Sequence, residues 1–402
     1  MASAGLQNKQ LILGICGGIA AYKSVELLRL MRKQGAEVRV IMTENATRFV
    51  GPLTLEALSG KPVFSSVFEH TDSGTIRHID WARSADAVVI APATANIIGK
   101  LANGLADDAL STFMLAVSCP VLVCPSMNTH MYRHPVVQRN LNKLREYGVH
   151  VQDPQAGDLA CGDSGPGRMP EPPDILEKLL RLLSPQDFTG KRVLITAGPT
   201  REFLDPVRFI SNPSSGKMGF AIARAAARRG AEVTLVSGPV SLPCPDGIRF
   251  IPVQSASEMA TAVLGEADRM DIVIKSAAVS DYRPVSRADQ KMKKTADEMD
   301  IRMVRNVDIL KELGRKKRSG QILVGFAAET ESLKLHATQK LAEKNLDMIA
   351  GNIVGGSDSG FGADTNRITL FYADGNAEPL PMAEKEELAD TILDRIRDRF
   401  FR

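Results

Sequence analysis

Short apolar runs, each stopped by glycine, proline or a small polar residue and followed by a helical repeat, recur along this chain. Residues 11–16 form the first run. Gly17-Gly18-Ile19-Ala20-Ala21 then opens a helix that continues to about Arg32, Gly35 closes it, and residues 37–42 make the next strand. Runs at 86–91, 121–124 and 149–152 continue the series. Uninterrupted apolar runs are strands buried on both faces, and their alternation with helices predicts a parallel sheet covered on both sides.

The pattern then begins again. An apolar run at 193–196 breaks at Ala197-Gly198-Pro199, and a helix of small residues starts near Ser215. Residues 233–237, which end at Gly238-Pro239, and the runs at 249–253, 271–274, 322–326, 348–350 and 367–372 read as strands, with a terminal helix over 383–400. A chain that starts a βα pattern twice predicts two α/β domains and two active sites. Its 402 residues agree with a prior of about 150 residues per domain. An amphipathic helix at 171–183 is followed by Ser184-Pro185-Gln186-Asp187, which breaks the repeat and places the join near 184–190. The expected domains are therefore 1–186 and 187–402.

Composition narrows the partners. A formal net charge of +3 and 5% aromatic residues give no basic or base-stacking surface for nucleic acid and no footprint for an acidic membrane. The five cysteines are scattered without a CxxC pair, which fits a reducing cytoplasm and offers no zinc framework. No apolar run approaches the roughly 18–20 residues that span a bilayer, so a soluble, cytoplasmic protein is expected.

Ligands of open parallel sheets sit beyond the carboxyl ends of the strands. Three such ends in the first half carry small polar groups: Gly17-Gly18, Thr94-Ala95-Asn96 after Pro92, and Ser126-Met127-Asn128 after Pro125. Gly14 to Gly18 is not G-x-G-x-x-G, so the dinucleotide fingerprint fails, yet glycines there still admit a phosphate at the helix start. His78 stands shortly before a strand and reads as structural or reactive. Asn128 serves a turn or offers amide donors to a carboxylate. Cys161, in the glycine-rich stretch 160–169, is an ordinary loop thiol or a proton donor.

In the second half, Ser214-Ser215-Gly216-Lys217-Met218-Gly219 is not a P-loop, because position 211 is serine and methionine follows the lysine. The segment still offers hydroxyls and a helix start to a phosphate. Lys291-Met292-Lys293-Lys294 lies in a polar stretch read as a mobile loop, Lys340 and Lys344 are spaced to share one helix face, and 315–318 reads as a solvated charge run.

The motifs become specific when taken together. GGIAAYK at 17–23, APATAN at 91–96, PSMNTHMY at 125–132 and ACGDSGPGRM at 160–169 resemble the flavin-dependent phosphopantothenoylcysteine decarboxylases. That resemblance implies a flavodoxin-like flavoprotein domain that binds FMN, in trimers that build the site between subunits. It implies flavin contacts from Gly17, Gly18, Ile19, Thr43, Thr94, Ala95 and Asn96. It also makes His78 an essential histidine, Asn128 the holder of the substrate carboxylate and Cys161 the proton donor to an enethiolate. Losing CO₂ from a cysteine carboxylate leaves an unstabilised carbanion; prior oxidation of the thiol by FMN lets those electrons delocalise onto sulfur. Ser84 stands where the family commonly has tryptophan; here Trp81 is the chain's single one.

AGPTREFLDPVRFISN at 197–212, SSGKMG at 214–219, AAVSDYRP at 277–284, KMKK at 291–294 and GFAAET at 325–330 resemble the phosphopantothenate–cysteine ligases. The whole chain thus resembles the bacterial bifunctional proteins of coenzyme A synthesis, with a Rossmann-like ligase domain second. The resemblance implies attack of the 4′-phosphopantothenate carboxylate on the α-phosphate of CTP, with Mg²⁺, and then displacement of CMP by the amine of cysteine. Asn212 matches a contact to the acyl-cytidylate. Lys275, Ser276, Ala277, Asp281, Lys291, Val307, Asp308, Ile309, Leu310, Phe326, Lys340 and Lys344 match nucleotide-binding positions, Lys291 on a closing loop; no metal ligands are implied. Val307 replaces a family proline, and Lys275-Ser276 stand where apolar or small residues are commoner, so CTP over ATP is an expectation. The family further implies trimers joined by dimers into a dodecamer. Two other readings compete: a nicotinamide-dependent oxidoreductase, weakened by the failed fingerprint and by the lack of an acid at the second strand's end, and a non-enzymatic flavin-binding regulator, weakened by the presence of His78, Asn128 and Cys161 together.

Overall fold

The computed structural model describes residues 5–66, 77–158, 162, 164–293, 299–329, 332–353 and 362–401. The chain divides into two compact units, Met1–Ser184 and Pro185–Arg402.

In the first unit β1 (Gln10–Ile15) leads into α1 (Ala21–Lys33), and β2 (Glu37–Met42) into α2 (Pro52–Ser59). Then follow α3 (Arg77–Ser84), β3 (Ala87–Ala93), α4 (Ala95–Asn103), α5 (Ala109–Leu115), β4 (Val121–Pro125), α6 (Thr129–Arg133), α7 (Pro135–Glu146) and β5 (His150–Val151). A hairpin of β6 (Gln155–Asp158) and β7 (Ser164–Arg168) precedes α8 (Pro172–Leu183). The five strands lie parallel in the order β2-β1-β3-β4-β5, the doubly wound arrangement in which β1 and β3 flank the switch point. All seven residues of β3 are buried. Leu11, Leu13 and Val89 pack with α1 and α8 on one face, and Ile12, Val88 and Ile90 with α4, α5 and α7 on the other. A buried polar bond pins α1 in place: the Ser24 hydroxyl donates to the Ala91 carbonyl at 2.7 Å. The glycine-rich stretch read as loop is in part this β6–β7 hairpin. His78 lies in the first turn of α3, a helix that stands between it and the strand expected next.

The second unit opens with β8 (Arg192–Ala197), a hairpin of β9 (Arg201–Phe203) and β10 (Phe209–Ser211), and α9 (Lys217–Arg228). Next come β11 (Glu232–Ser237), β12 (Arg249–Pro252), α10 (Ala256–Glu266), β13 (Ile272–Lys275), a second hairpin of β14 (Tyr282–Pro284) and β15 (Met303–Arg305), α11 (Ile309–Lys316), β16 (Ile322–Glu329) and α12 (Leu333–Glu343). The unit ends with β17 (Met348–Ile353), β18 (Thr365–Asn366), β19 (Thr369–Tyr372), β20 (Ala377–Pro379), β21 (Ala383–Glu384) and α13 (Lys385–Phe400). Its main sheet runs β12-β11-β8-β13-β16-β17-β19-β20, parallel as far as β17, with β19 and β20 antiparallel.

Period-2 alternation sorts the two faces of this sheet. Ile195, Ile274 and Val324 pack with α9 and α13, whereas Leu194, Val273 and Leu323 pack with α10, α11 and α12. The small residues of α9 allow a close approach. A Cβ on Gly219 would lie 2.6 Å from the Ala197 Cβ, so this helix start presses directly onto the end of β8. Beneath it, the buried Arg229 pairs with Asp187 at 2.6 Å and Asp394 at 2.9 Å, fastening the start of the unit to its last helix.

Candidate active sites

The carboxyl ends of β1, β3 and β4 open into a cleft of about 1010 Å³. Gly17, Gly18, Ile19, Thr43, Thr94, Ala95 and Asn96, the seven positions expected to hold flavin, all line it, and so does Asn128. Local chemistry explains each position. Thr94 is the N-cap of α4 and accepts from the Ile97 amide. The Thr43 amide donates to the Ile15 carbonyl, holding the end of β2 beside that of β1. Asn128 N-caps α6, its oxygen accepting from the His130 amide at 2.8 Å, so the turn role is realised at the cleft wall. Gly17 is needed for close packing, since a Cβ there would sit 2.4 Å from the Asn45 Cβ.

Charged side chains line the same cleft that sequence reading passed over. Lys100 pairs with Asp107 and Asp108, each at 2.6 Å, and Lys23 pairs with Glu171 at 2.7 Å. Burial would raise the Asp108 carboxyl, but bonds from Lys100 and Ser111 hold it below the usual carboxylate range. The spacing of Lys100, near the end of α4, from Asp107-Asp108, which lead into α5, was the available signal; it belongs to no motif. Cys16 follows β1 and is buried, its thiol pushed up to about 12 by that burial, hence chemically quiet. His78 is not among the described residues lining the cleft, and Cys161 lies outside the described residues.

In the second unit a smaller cleft, about 240 Å³, lies over the ends of β8, β13, β16 and β17. Its walls are laced together by the loop after β13. The Ala277 amide donates to the Thr196 hydroxyl and that of Ser280 to the Thr200 hydroxyl, each at 3.0 Å. Asn212 joins the same lacing, its side-chain amide donating to the Ala278 carbonyl at 2.9 Å. Asn212, Lys275, Ser276, Ala277 and Phe326 line this cleft.

The remaining expected nucleotide positions do not line it, though Asp281, Asp308, Lys340 and Lys344 act on Lys275 at its wall. Asp308 N-caps α11 through the Lys311 amide and pairs with Lys344 at 2.8 Å. The side chains of Ile309 and Leu310 are buried in the core, so that helix start presents backbone N–H groups. Val307 is exposed. The Asp281 carbonyl accepts from the Asn306 amide. Lys340, in the last turn of α12, pairs with Glu329 at 2.6 Å, and Lys344, the C-cap, still donates its amide to the Lys340 carbonyl, so both charges act on Lys275. Lys291 is exposed on a segment tied at both ends. Ala288 donates to the Leu204 carbonyl, and the Met292 amide to the buried Asp205 carboxylate.

Lys275 carries the main electrostatic cost. Burial, followed by the like charges of Lys344 and Lys340, pushes its ammonium down to about 8, although Asp308 and Asp281 oppose this. Asn352, Asn366 and Lys385 line the cleft without having been singled out for it, whereas Lys217 lines it on the 214–219 segment already read as a phosphate-binding helix start. Asn352 carried the signal used in the first half, an amide at a strand end. Among the described residues no group of three or more His, Cys, Asp or Glu is placed to hold a metal ion, and no helix is long and apolar enough to cross a membrane.

Comparison with known proteins covers both units. The flavoprotein family model matches residues 2–184, and the model of the DNA/pantothenate metabolism flavoprotein C-terminal domain matches 188–400. The chain is 51% identical over 395 residues to the coenzyme A biosynthesis bifunctional protein CoaBC of Bacillus subtilis (strain 168), covering 97% of each chain. It is 48% identical to the protein of the same name from Escherichia coli (strain K12), covering 98% of each. Among solved structures, the C-terminal domain of a coenzyme A biosynthesis bifunctional protein CoaBC matches at 46% identity and TM-score 0.46, over 53% of this chain and 97% of that one.

Proposed function

The chain belongs to the family of coenzyme A biosynthesis bifunctional proteins, and we propose that its two units divide that family's two reactions between them. Residues 187–402 join 4′-phosphopantothenate to cysteine with CTP. Residues 1–186 decarboxylate the resulting 4′-phosphopantothenoylcysteine to 4′-phosphopantetheine with FMN. The observation that carries this reading is the convergence of Thr43, Thr94, Asn96 and Asn128 from different strand ends on one cleft of about 1010 Å³, ample for a flavin and a substrate.

The residues present fit FMN. Gly17, Gly18 and Ile19 offer backbone to its phosphate end, and Thr43 with Thr94-Ala95-Asn96 holds the remainder. Bound FMN supplies the two-electron redox chemistry that allows CO₂ to leave. Asn128 holds the substrate carboxylate from the cleft wall, and Cys161 delivers the final proton to carbon. His78 enters from a neighbouring subunit in a trimer, which accounts for its place on α3 away from the lining of its own cleft.

In the ligase unit a carboxylate oxygen of 4′-phosphopantothenate attacks the α-phosphorus of CTP and pyrophosphate leaves. The amine of cysteine then attacks the acyl carbon and CMP leaves. The chain contributes position and positive charge: Lys275, Lys340, Lys344 and Lys291 offset the phosphates, and Asn212 holds the acyl-cytidylate. Mg²⁺ arrives with the nucleotide, bound chiefly by its phosphates and water. Trimers of the first unit joined by dimers of the second make a dodecamer, and the enzyme works in the cytoplasm.

Purified protein supplied with 4′-phosphopantothenate, cysteine and CTP releases pyrophosphate and CO₂. His78→Asn stops the CO₂ and leaves pyrophosphate intact, while Asn212→Asp slows pyrophosphate release. Loss of both signals in a well-folded His78→Asn protein would refute the division of labour.

A further inference from the structure

A buried carboxylate sits in the β9–β10 turn of the second unit, and the turn alone does not require its charge. The Asp205 Oδ1 accepts from the amides of Val207 at 2.7 Å and Arg208 at 2.8 Å, the bonds that close a turn around Pro206. An asparagine oxygen would serve those two donors equally. The second oxygen faces elsewhere: Oδ2 accepts from the Met292 amide at 3.1 Å, across 87 residues of sequence. An asparagine nitrogen in its place would set donor against donor. The side chain is fully buried, and its ion-pair partner, the partly exposed Arg208 guanidinium, stands off at 3.6 Å. Burial pushes the carboxyl up, yet the amides of Val207, Met292 and Arg208 outweigh it and hold it below the usual carboxylate range. Of these three bonds, the one to Met292 alone calls for a carboxylate, and it fixes the residue next to Lys291.

Two further contacts hold the same segment to the same hairpin. The Ala288 amide donates to the Leu204 carbonyl at 2.9 Å, and the Arg287 guanidinium lies 4.9 Å over the Phe203 ring. At its other end the hairpin runs from Ser211 into Asn212, which lines the ligase cleft. Between the two ends, Phe203 and Phe209 pair across the strands and pack edge to face at 5.5 Å. Lys291 is itself exposed and is not among the described residues that line the cleft. Its place relative to Asn212 is therefore set through the hairpin, with Asp205 as the link to the lysine's own neighbour.

We propose that Asp205 is a positioning residue of the ligase reaction, which through its Oδ2 places Lys291 in register with Asn212. This rests on the ligase reading above and adds a residue that acts through Lys291 rather than on a substrate. A lysine outside the lining of the empty cleft adds little to ground-state binding of the nucleotide. Its charge counts when negative charge shifts onto the departing pyrophosphate. Misplacing it lowers kcat more than it raises KM.

The full-length protein is compared as wild type, Asp205→Asn, Lys291→Gln and the double variant, by CTP-dependent pyrophosphate release and by amide hydrogen exchange. Asp205→Asn keeps the shape of the side chain and the oxygen of the turn. In that variant the Met292 amide exchanges at least tenfold faster, while the Val207 and Arg208 amides keep their protection. Its kcat falls at least tenfold, and its KM for CTP stays within threefold. Added to Lys291→Gln, the same change lowers kcat by less than a further twofold, because both act through one side chain. Losses that multiply in the double variant overturn the proposal, and so does an unchanged kcat in Asp205→Asn. Should Asp205→Asn fail to fold, Met292→Pro decides: it deletes the donor, leaves Asp205 in place and reproduces the loss of kcat. Wild-type turnover in Met292→Pro overturns the proposal. Wild-type protein that releases no pyrophosphate refutes the ligase reading itself, whereas release by wild type and by Asp205→Asn at one rate refutes the positioning role alone.

Discussion

The Nζ of Lys344 lies 2.8 Å from the Oδ2 of Asp308, so the cation that ends α12 is held by the carboxylate that caps the start of α11. Burial would raise the Asp308 carboxyl, yet Lys344 and the Lys311 amide hold it low. Asp308→Asn keeps a competent cap but frees the lysine. A half-exposed pair of this kind contributes about 0.2–1 kcal/mol to stability, so folding changes little. The KM for CTP in the pyrophosphate assay rises several-fold, with kcat for decarboxylation unchanged.

Lys275 predicts a dependence on pH. Its folded-state value, about 8, lies below the usual lysine range. Between pH 8 and about 10.5 the unfolded chain holds the extra proton, so this group's contribution to stability rises with pH across that window. Well below pH 8 the charged side chain costs on the order of 3 kcal/mol. Lys275→Met accordingly raises the urea midpoint at pH 7 and has a much smaller effect at pH 10. The same change raises the KM for CTP, and in wild type that KM climbs above pH 8 as the charge is lost. A variant less stable than wild type at pH 7 would contradict this account.

Gly17→Ala places a Cβ 2.4 Å from the Asn45 Cβ and 2.8 Å from the Asn45 carbonyl carbon. Overpacking of about 1–3 kcal/mol displaces the turn that carries Thr43 and Glu44 and weakens FMN by roughly ten- to hundredfold. The absorbance ratio of flavin to protein after gel filtration reads this directly, and pyrophosphate release serves as the control that stays constant.

Arg229 is buried between Asp187 and Asp394, with its guanidinium 4.8 Å over the Phe188 ring. Arg229→Met leaves those carboxylates with Arg397 as the remaining cation. The second unit loses about 3 kcal/mol, seen as an earlier thermal transition. The transition followed by flavin fluorescence, which reports the first unit, keeps its midpoint.

The sheets were legible because β-branched runs such as those in β1, β3, β8 and β13 are buried on both faces and need no context to be recognised. The hairpins β6–β7, β9–β10 and β14–β15 were not. Their strands are short, half-exposed and rich in glycine or charge, and only pairing across the turn makes them strands at all. The cleft of the first unit was legible for a related reason, since its residues follow strand ends immediately. Lys385 escaped notice because it arrives on the last helix, more than a hundred residues after the strand whose end it faces. One signal was there to read: a lysine leading a helix whose first turn is Glu386-Glu387 reverses the ordinary order of charge. Lys340 and Lys344 were legible from spacing alone, because the last turn and C-cap of α12 carry both charges towards Lys275.

Lys291 is bracketed by two stitches, Ala288 to Leu204 and Met292 to Asp205. A lysine leashed this closely sweeps no farther than its own methylenes unless its neighbours travel with it. Asp205, which also grips the amides of Val207 and Arg208, is therefore the hinge pin on which any longer stroke turns. Because one carboxylate grips the amides of both segments, its loss would unfasten the Lys291 segment and the β9–β10 turn together.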